Sequence, residues 1–221
     1  MKNAEINYLY DLKETIAGEY LASFTYPWEA LDGIAEYICK LGKTLDPAVY
    51  EQRGENIWVA KSAKVAPTAC LNGPLIVDEG AEIRHCAFIR GSAIVGKNTV
   101  VGNSTELKND ILFNNVQVPH YNYVGDSILG YKSHMGAGSI TSNVKSDKTL
   151  VVVKDGKEEI PTGRKKFGAM LGDYVEVGCN SVLNPGTVIG PHTNVYPLSM
   201  VRGVVPAKSI YKNKNEIVEK K

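Results

Sequence analysis

The sequence has few cysteines and almost no net charge, and each shortage argues against a class of protein. The four cysteines, Cys39, Cys70, Cys86 and Cys179, form no CxxC pair and no zinc-site spacing. This pattern argues against the disulfide framework of a secreted domain, so we expect reduced, structural thiols. The 25 Lys and Arg residues balance 24 Asp and Glu residues, which argues against a broad surface for nucleic acid or an anionic membrane.

Long apolar runs are also missing. No stretch approaches the roughly 18 apolar residues that a membrane span needs. Charged residues are mixed throughout residues 1–20, so the apolar core of a signal peptide is missing there. We therefore expect a cytoplasmic protein in which a local cluster of basic side chains meets any anionic ligand.

Residues 1–56 are predicted to form an N-terminal helical cap. Apolar residues recur at steps of three and four after Pro27, which suits a first helical turn, and they are Leu31, Ile34, Ile38 and Leu41. A shorter helix is predicted within residues 8–21. We expect these helices either to cover the exposed end of the structure that follows or to dock a partner.

A period of six residues replaces the helical pattern from Ile57 onward. The aliphatic positions are Val59, Val65, Leu71, Val77, Ile83, Ile89, Val95, Val101 and Leu107, then Leu171, Val177, Leu183, Ile189, Val195 and Val201. A hexapeptide period predicts a mainly β protein, a parallel β-helix whose triangular coils take roughly 18 residues each. We expect the β-helix to span residues 57–206.

Two segments depart from the repeat. Residues 143–168 break it completely and are expected to leave the coil as one long excursion loop. Within this excursion, the Asp155-Gly156 pair between two strand-like stretches predicts a hairpin. Long loops on a rigid scaffold often carry function. The charged tail, residues 207–221, is also expected to leave the coil.

Two basic residues are predicted to stack on the outside of the coil. Arg90 and Lys108 are 18 residues apart, so they occupy the same position in successive coils, about 4.8 Å apart. Because like charges repel, a stack without its own carboxylates favours a bound anion such as phosphate. Asp126 alternates the sign one coil later, and a pair of solvated surface charges is the competing interpretation.

The repeat loses its register near a histidine. After Leu107 the aliphatic residues fall one position early, at Val118, and His120 lies in this slipped turn beside Tyr123. A glycine-rich turn at residues 136–138 follows about one coil later. Histidine is suited to accept a proton near neutral pH, and free backbone N–H groups can stabilise an oxyanion. A structural irregularity of the coil is the alternative interpretation.

Five stretches of the chain resemble one family. They are VGNSTELKN, PHYNYVGD, GAGSITSN, KKFGAMLGD and VEVGCNSVLNPGTVIG, all between Ile83 and Val201. Together they resemble the left-handed β-helix acetyltransferase domain of the bacterial bifunctional enzymes that make UDP-N-acetylglucosamine. The resemblance implies a left-handed coil and a homotrimer with active sites between subunits. It also implies acetyl transfer from acetyl-CoA, a co-substrate, to the amine of glucosamine 1-phosphate without a catalytic metal.

The same resemblance assigns roles to individual residues of the acceptor site. His120 matches the family's catalytic base, and Arg90 and Lys108 match its cations for the sugar phosphate. Tyr123 and Lys166 match further substrate-binding residues, the lysine being supplied by the excursion.

Other matches concern the acetyl donor, and some positions depart from the family. Ala137 matches the backbone amide that meets the thioester oxygen, and Asn143 matches an asparagine near the acetyl group. Cys179 replaces a serine on the CoA side, and Val144 replaces an aromatic residue beside the CoA. His134 replaces an asparagine that touches the sugar. These departures leave the amino sugar and the acyl donor open.

Other functions remain open on the sequence. No glycine-rich nucleotide-binding loop precedes residue 57, so a separate uridylyltransferase is a candidate partner. A non-catalytic β-helix that binds a sugar nucleotide and regulates a separate nucleotidyltransferase is the alternative function. A trimeric β-helix carbonic anhydrase is a further possibility, because His85 and His120 are 35 residues apart, but Gly125 occupies the place of the third zinc ligand.

Overall fold

The computed structural model describes residues 1–220, and its strands wind into a parallel β-solenoid with three faces. The predicted parallel β-helix is therefore confirmed. The aliphatic residue of each hexad points into the coil, and most of these side chains are at most 3% exposed. Complete burial of such a side chain contributes about 1.5–3 kcal/mol, so the column forms a continuous core.

The strands of each face stack in register along the coil. Face A contains Ile57–Ala60, Leu75–Val77, Ala93–Val95, Ala169–Leu171, Thr187–Ile189 and Val204–Val205. Face B contains Lys64–Val65, Glu82–Ile83, Val100–Asn103, Gln117–His120, His134–Met135, Glu176–Val177, Asn194–Val195 and Ser209–Asn213. Face C contains Cys70–Leu71, Phe88–Ile89, Ile140–Thr141, Val182–Leu183 and Met200–Val201. Two longer strands, Glu106–Leu112 and Tyr123–Leu129, bend from face C into face A and join the two sheets.

The coil loses one residue where these two longer strands turn the corner. Val95 pairs with Leu112, 17 residues later and not 18. The interval from Leu107 to Leu112 therefore holds five residues, and the interval 124–129 repeats the shortening. The turn that contains His120 keeps its full six residues. The prediction that placed His120 in the slipped turn was wrong, because the loss occurs two corners earlier and again one corner later.

The N-terminal segment lies along face A and does not cover an end of the coil. It contains three short α-helices, α1 (Ile6–Leu9), α2 (Gly18–Leu21) and α3 (Ile34–Gly42), and 3₁₀ turns at Lys2–Ala4, Leu12–Glu14 and Pro27–Asp32. The helical region predicted after Pro27 is present as a 3₁₀ turn followed by α3. The helix predicted within residues 8–21 is broken into single turns, so this prediction was only partly right. No helix in residues 1–220 is long and apolar enough to cross a membrane.

The outer side of face A explains where this segment docks. One residue of each of the first five face A strands, and of the face A part of the two longer strands, points outward. These residues are buried and apolar: Trp58, Ile76, Ile94, Ile111, Ile128, Met170 and Val188. The Tyr10 hydroxyl donates to the Ile128 carbonyl at 3.3 Å, and the Tyr10 ring packs against Phe113 with centroids 5.1 Å apart. The N-terminal segment is thus a side cover, because the apolar row that it buries runs along the coil.

Hairpins lie at both ends of the coil. Tyr50–Gly54 pairs antiparallel with Ile57–Ala60, so the strands begin within the region predicted to be a helical cap. Ser209–Asn213 adds a parallel rung to face B and then pairs antiparallel with Glu216–Glu219. The prediction that residues 207–221 leave the coil is therefore wrong for the described part of the tail.

The excursion at residues 143–168 forms the predicted hairpin. Val152–Asp155 pairs antiparallel with Glu158–Pro161, and Gly156 takes a φ of +58° in the turn. The two ends of the excursion are joined, because Phe167 N–H donates to the Asn143 carbonyl at 2.9 Å. The loop is therefore anchored to the coil where it leaves and where it returns.

Candidate functional site

A cleft of about 620 Å³ opens where faces C and A meet, beside the N-terminal segment. Five basic residues line it, and they are Arg90, Lys108, Arg164, Lys165 and Lys166. Sequence reasoning had identified Arg90, Lys108 and Lys166. It missed Arg164 and Lys165, although the run Arg-Lys-Lys at 164–166 was a visible signal for a local anion site.

The shortened corners build the floor of this cleft. Asp110 is completely buried, and its carboxylate accepts from Lys108 N–H at 2.6 Å and from Ser127 N–H at 3.0 Å. Asn109 turns the corner with a φ of +62°. Burial raises the pKa of Asp110 well above its usual range. The Asp110 side chain therefore accepts from a backbone N–H at each of the two corners where the coil has lost a residue.

Asp126 is the buried centre of a polar network in the cleft. Its carboxylate accepts from Lys108 Nζ at 2.9 Å, from Asn109 Nδ2 at 3.0 Å and from Asn143 Nδ2 at 2.6 Å. Asn143 Nδ2 also donates to the Tyr123 hydroxyl at 3.2 Å. Burial raises the pKa of Tyr123, and nearby carboxylates add to the shift, so the hydroxyl stays protonated at neutral pH. The network fixes the orientation of Lys108, Asn109 and Asp126, which are its side chains that line the cleft.

Arg90 and Lys108 follow equivalent rungs of successive coils, but each has a carboxylate partner. Arg90 Nη1 lies 2.9 Å from Glu106 Oε1, and this hydrogen bond is the main cause that raises the pKa of Arg90. Lys108 is paired with Asp126. The hypothesis of a bound anion had required a stack without carboxylates. Each of these two basic residues has a carboxylate partner, so this condition is not met. Within residues 1–220, the basic residues of the cleft that form no ion pair are Lys165 and Lys166.

His120 lies on a different corner, between faces B and C. Its side chain is exposed, and its imidazole has no hydrogen-bond partner among residues 1–220. Its carbonyl accepts from Gly138 N–H at 3.0 Å, and Asn180 N–H donates to the Ala137 carbonyl at 2.9 Å. Ala137 N–H donates no hydrogen bond within the described chain.

The same corner continues to Cys179, which is also exposed. His120, Ala137 and Cys179 therefore form one column along the coil. His120 and Tyr123 belong to consecutive strands and are three residues apart, a distance of at most about 10 Å. The histidine column and the basic cleft thus border the same part of face C.

His134 is remote from both places. It points outward from face B, where its Nδ1 lies 2.8 Å from Glu176 Oε2. It lines a separate cleft of about 570 Å³ that also contains Tyr174 and His192. A single chain therefore brings together Arg90, Lys108, Tyr123, Asn143 and Lys166, and it holds His120, Ala137 and Cys179 on a second corner and His134 on another face. Among residues 1–220, no group of three His, Cys, Asp or Glu side chains is placed to hold a metal ion.

Known proteins resemble this chain over most of its length. The model of the GMPPB C-terminal domain matches residues 71–218. "Bifunctional protein GlmU" of Methanococcus aeolicus is 31% identical over 184 residues, which cover 75% of this chain and 44% of that protein. "Bifunctional sugar-1-phosphate nucleotidylyltransferase/acetyltransferase" of Sulfurisphaera tokodaii is 30% identical over 149 residues, 59% of this chain and 37% of that protein. The chain thus spans less than half the length of these relatives.

Solved structures add a weaker similarity. The hexapeptide transferase family protein from Anaplasma phagocytophilum aligns with a TM-score of 0.40 and 13% identity, over 74% of this chain and 78% of that one. The relatives named GlmU confirm the resemblance that the sequence motifs had indicated. Because the family model covers about two thirds of its residues, the chain belongs to the family of the GMPPB C-terminal domain.

Proposed function

We propose that the chain is a CoA-dependent N-acetyltransferase that moves acetyl from acetyl-CoA to the amine of a hexosamine 1-phosphate, with glucosamine 1-phosphate as the first candidate. The product would enter the synthesis of a UDP-N-acetylhexosamine. The observation that carries the proposal is the placement of an exposed histidine and a basic cleft along one face of the coil. The cleft suits the phosphate, and the histidine suits the amine.

His120 is proposed to act as the general base. It accepts a proton from the amino group as the nitrogen attacks the thioester carbon and the C–N bond forms. Ala137 N–H donates to the oxyanion of the tetrahedral intermediate, which collapses as the C–S bond breaks, and the leaving CoA thiolate takes up the proton that His120 had accepted. Asn143 is proposed to lie near the acetyl group, and Cys179 to line the CoA side.

The phosphate is proposed to lie among Arg90, Lys108 and Lys166, with Tyr123 against the sugar. The carboxylate partners of Arg90 and Lys108 reduce the charge of the cleft. Lys165 and Lys166 leave about two positive charges uncompensated, which matches the charge of roughly −1.5 to −2 on a phosphate monoester near neutral pH. This balance supports an acceptor with one terminal phosphate.

A homotrimer with sites between subunits is part of the proposal. Face C carries outward apolar side chains, and Phe88 and Met200 are 37% and 57% exposed. Leu198 on the adjoining corner is 79% exposed. Exposed apolar side chains on one face favour burial against another protein surface. Because His134 lies on face B, we propose that it contacts the sugar bound in the cleft of a neighbouring subunit.

Nucleotidyl transfer is proposed to follow acetyl transfer. The name of the Sulfurisphaera tokodaii relative joins a nucleotidylyltransferase to an acetyltransferase. A uridylyltransferase is therefore the partner activity that we propose for the acetylated product, and it can reside on a separate protein.

Thiol release from acetyl-CoA tests the proposal. The assay compares glucosamine 1-phosphate with galactosamine 1-phosphate as acceptors. His120→Ala is expected to lose about 10² to 10⁴ in rate. His85→Ala is the matched control, because His85 is exposed two coils earlier on the same corner, and it should retain the wild-type rate.

Three results would change the assignment. Unchanged turnover in His120→Ala would eliminate the histidine as base. Equal loss in both variants would indicate a structural role of the corner. Binding of a sugar nucleotide without any thiol release would favour the non-catalytic alternative, a regulator of a separate nucleotidyltransferase.

A further inference from the structure

The basic limb of the cleft, residues 163–167, is held by the N-terminal segment. This limb is the part of the excursion that returns to the coil, and it carries Lys165 and Lys166, the two basic residues of the cleft without an ion pair in residues 1–220. Both lysine side chains are exposed. Their position over the cleft therefore depends on what fixes the backbone between them and the coil.

Arg164 makes the first attachment. Its Nη1 lies 2.6 Å from Asp32 Oδ2 in the 3₁₀ turn before α3, and its Nε donates to the Lys166 carbonyl at 3.2 Å. The arginine side chain is only 12% exposed, whereas that of Asp32 is 84% exposed. One guanidinium thus bridges the N-terminal segment and the backbone of Lys166, a geometry that the planar fork of arginine permits and lysine does not.

Phe167 makes the second attachment. Its ring is fully buried and packs against Trp28 with centroids 5.6 Å apart, and Trp28 is itself stacked on Tyr26 at 4.6 Å. Phe167 N–H also donates to the Asn143 carbonyl. The two unpaired lysines therefore lie between an ion pair on one side and an aromatic contact on the other, and both contacts lead to the same turn, Pro27–Asp32.

We infer that the N-terminal segment is part of the acceptor site, and that Asp32 is a positioning residue which, through Arg164, holds Lys165 and Lys166 over the bound phosphate. Leu31, Asp32 and Ala35 line the cleft directly, so this segment also forms one of its walls. The inference rests on the proposed function for the identity of the acceptor. It requires only that the cleft binds a phosphate group.

The two possible roles of Asp32 predict effects of opposite sign. If Asp32 contributed only its negative charge, its neutralisation would make the cleft more positive and would strengthen anion binding. If Asp32 positions the limb, its neutralisation releases Arg164 and lets the lysines move, so anion binding weakens. The sign of the change therefore separates positioning from simple electrostatics.

The test measures the dissociation constant of inorganic phosphate, and the KM for glucosamine 1-phosphate, in Asp32→Asn and in Glu36→Gln. Glu36 is the matched control, because it lies in α3, pairs with Lys40 at the surface and does not line the cleft. We expect both constants to rise about three- to tenfold in Asp32→Asn, with kcat nearly unchanged, and to stay near the wild-type values in Glu36→Gln. Asp32→Glu should recover part of the affinity, because it restores a carboxylate.

A phosphate dissociation constant that falls or stays constant in Asp32→Asn would overturn the inference, as would a failure of the wild-type protein to bind phosphate. The phosphate measurement also separates this inference from the proposed enzyme. If phosphate affinity falls in Asp32→Asn but no protein releases thiol, positioning by Asp32 stands and the acetyltransferase proposal fails. If the wild type releases thiol while phosphate affinity is unchanged by Asp32→Asn, the acetyltransferase proposal stands and positioning by Asp32 fails.

Discussion

Replacement of Asp126 by asparagine should destabilise the protein far more than loss of the neighbouring exposed ion pair. The Asp126 side chain is 3% exposed and is paired with Lys108, whose side chain is 24% exposed. One carboxylate oxygen, Oδ2, accepts from Lys108 Nζ at 2.9 Å and from Asn143 Nδ2 at 2.6 Å. In Asp126→Asn, an amide nitrogen at this position faces two donors and can accept from neither.

The expected loss follows from these contacts. Hydrogen bonds to a charged group contribute about 1.5–3 kcal/mol each, and breaking a buried ion pair costs about 3–5 kcal/mol. The remaining oxygen still accepts from Lys108 and Asn109, which reduces the loss. We therefore expect a decrease of about 3 kcal/mol in the free energy of unfolding, or about 6–12 °C in Tm for a chain of this size.

Glu106→Gln provides the comparison within the same site. Glu106 and its partner Arg90 are 34% and 48% exposed, so this pair should contribute less than about 1 kcal/mol. Thermal unfolding followed by circular dichroism, at equal protein concentration, measures both variants. If Asp126→Asn melted within about 3 °C of Glu106→Gln, the buried network would not be the stabilising element of the cleft.

Three further predictions concern the coil, its N-terminal cover and its assembly. Gly102→Ala should lower stability by about 1–3 kcal/mol, because its Cβ would overlap the backbone of Pro119 in the next coil, and a urea midpoint equal to that of the wild type would contradict this. Burial raises the pKa of Asp173 from 3.8 to about 6, so the folded protein binds this proton more tightly than the unfolded chain does. The contribution of Asp173 to stability should therefore fall as pH rises from about 4 to about 6, and urea unfolding should show a difference between wild type and Asp173→Asn that changes across this range and not above it. Phe88→Glu should convert the proposed trimer into smaller species in sedimentation velocity, and an unchanged sedimentation coefficient would show that face C is not the interface.

The repeat could be predicted from the sequence because its signal is local and strict. One inward aliphatic residue every six positions leaves few other structures for the chain. The short corners could not be located in the same way, because Leu112 and Phe113 are adjacent, apolar and fully buried. Leu112 points into the coil, whereas Phe113 points outward against Tyr10. A hydrophobic pattern does not distinguish these two directions when both sides of the chain are covered.

The tail was predicted to leave the coil for a related reason. Tyr211 occupies the inward position that an aliphatic residue fills elsewhere, in register with Val195. It is 3% exposed, and its hydroxyl donates to the Met200 carbonyl at 2.9 Å. The last rung was not predicted because Tyr211 is not aliphatic, and its hydroxyl needs a partner that the folded coil provides.

The candidate site was partly predictable, and the missing part lies where two distant segments meet. The step of 18 residues placed Arg90 above Lys108 without any structural information. The ion pair of Arg164 with Asp32 could not be derived in this way, because it depends on the path of the N-terminal segment across face A. The sequence therefore predicted part of the charge of the cleft, but it did not predict the arrangement of the basic limb.

The outer apolar row of face A connects the fold to the cleft. The side chains of Ile76, Ile94 and Ile111 point away from the core of the coil. If face A were exposed to solvent, polar residues would be expected at these three positions. Their burial requires a cover, and the cover brings the turn Pro27–Asp32 beside the excursion. Substitutions in this row should consequently affect anion binding as well as stability, although none of these three side chains lines the cleft. Ile94→Ala should thus lower stability by about 2–5 kcal/mol and also weaken phosphate binding if the cover and the basic limb move together. Loss of stability with unchanged phosphate affinity would show that the limb keeps its position without the full docking of the N-terminal segment.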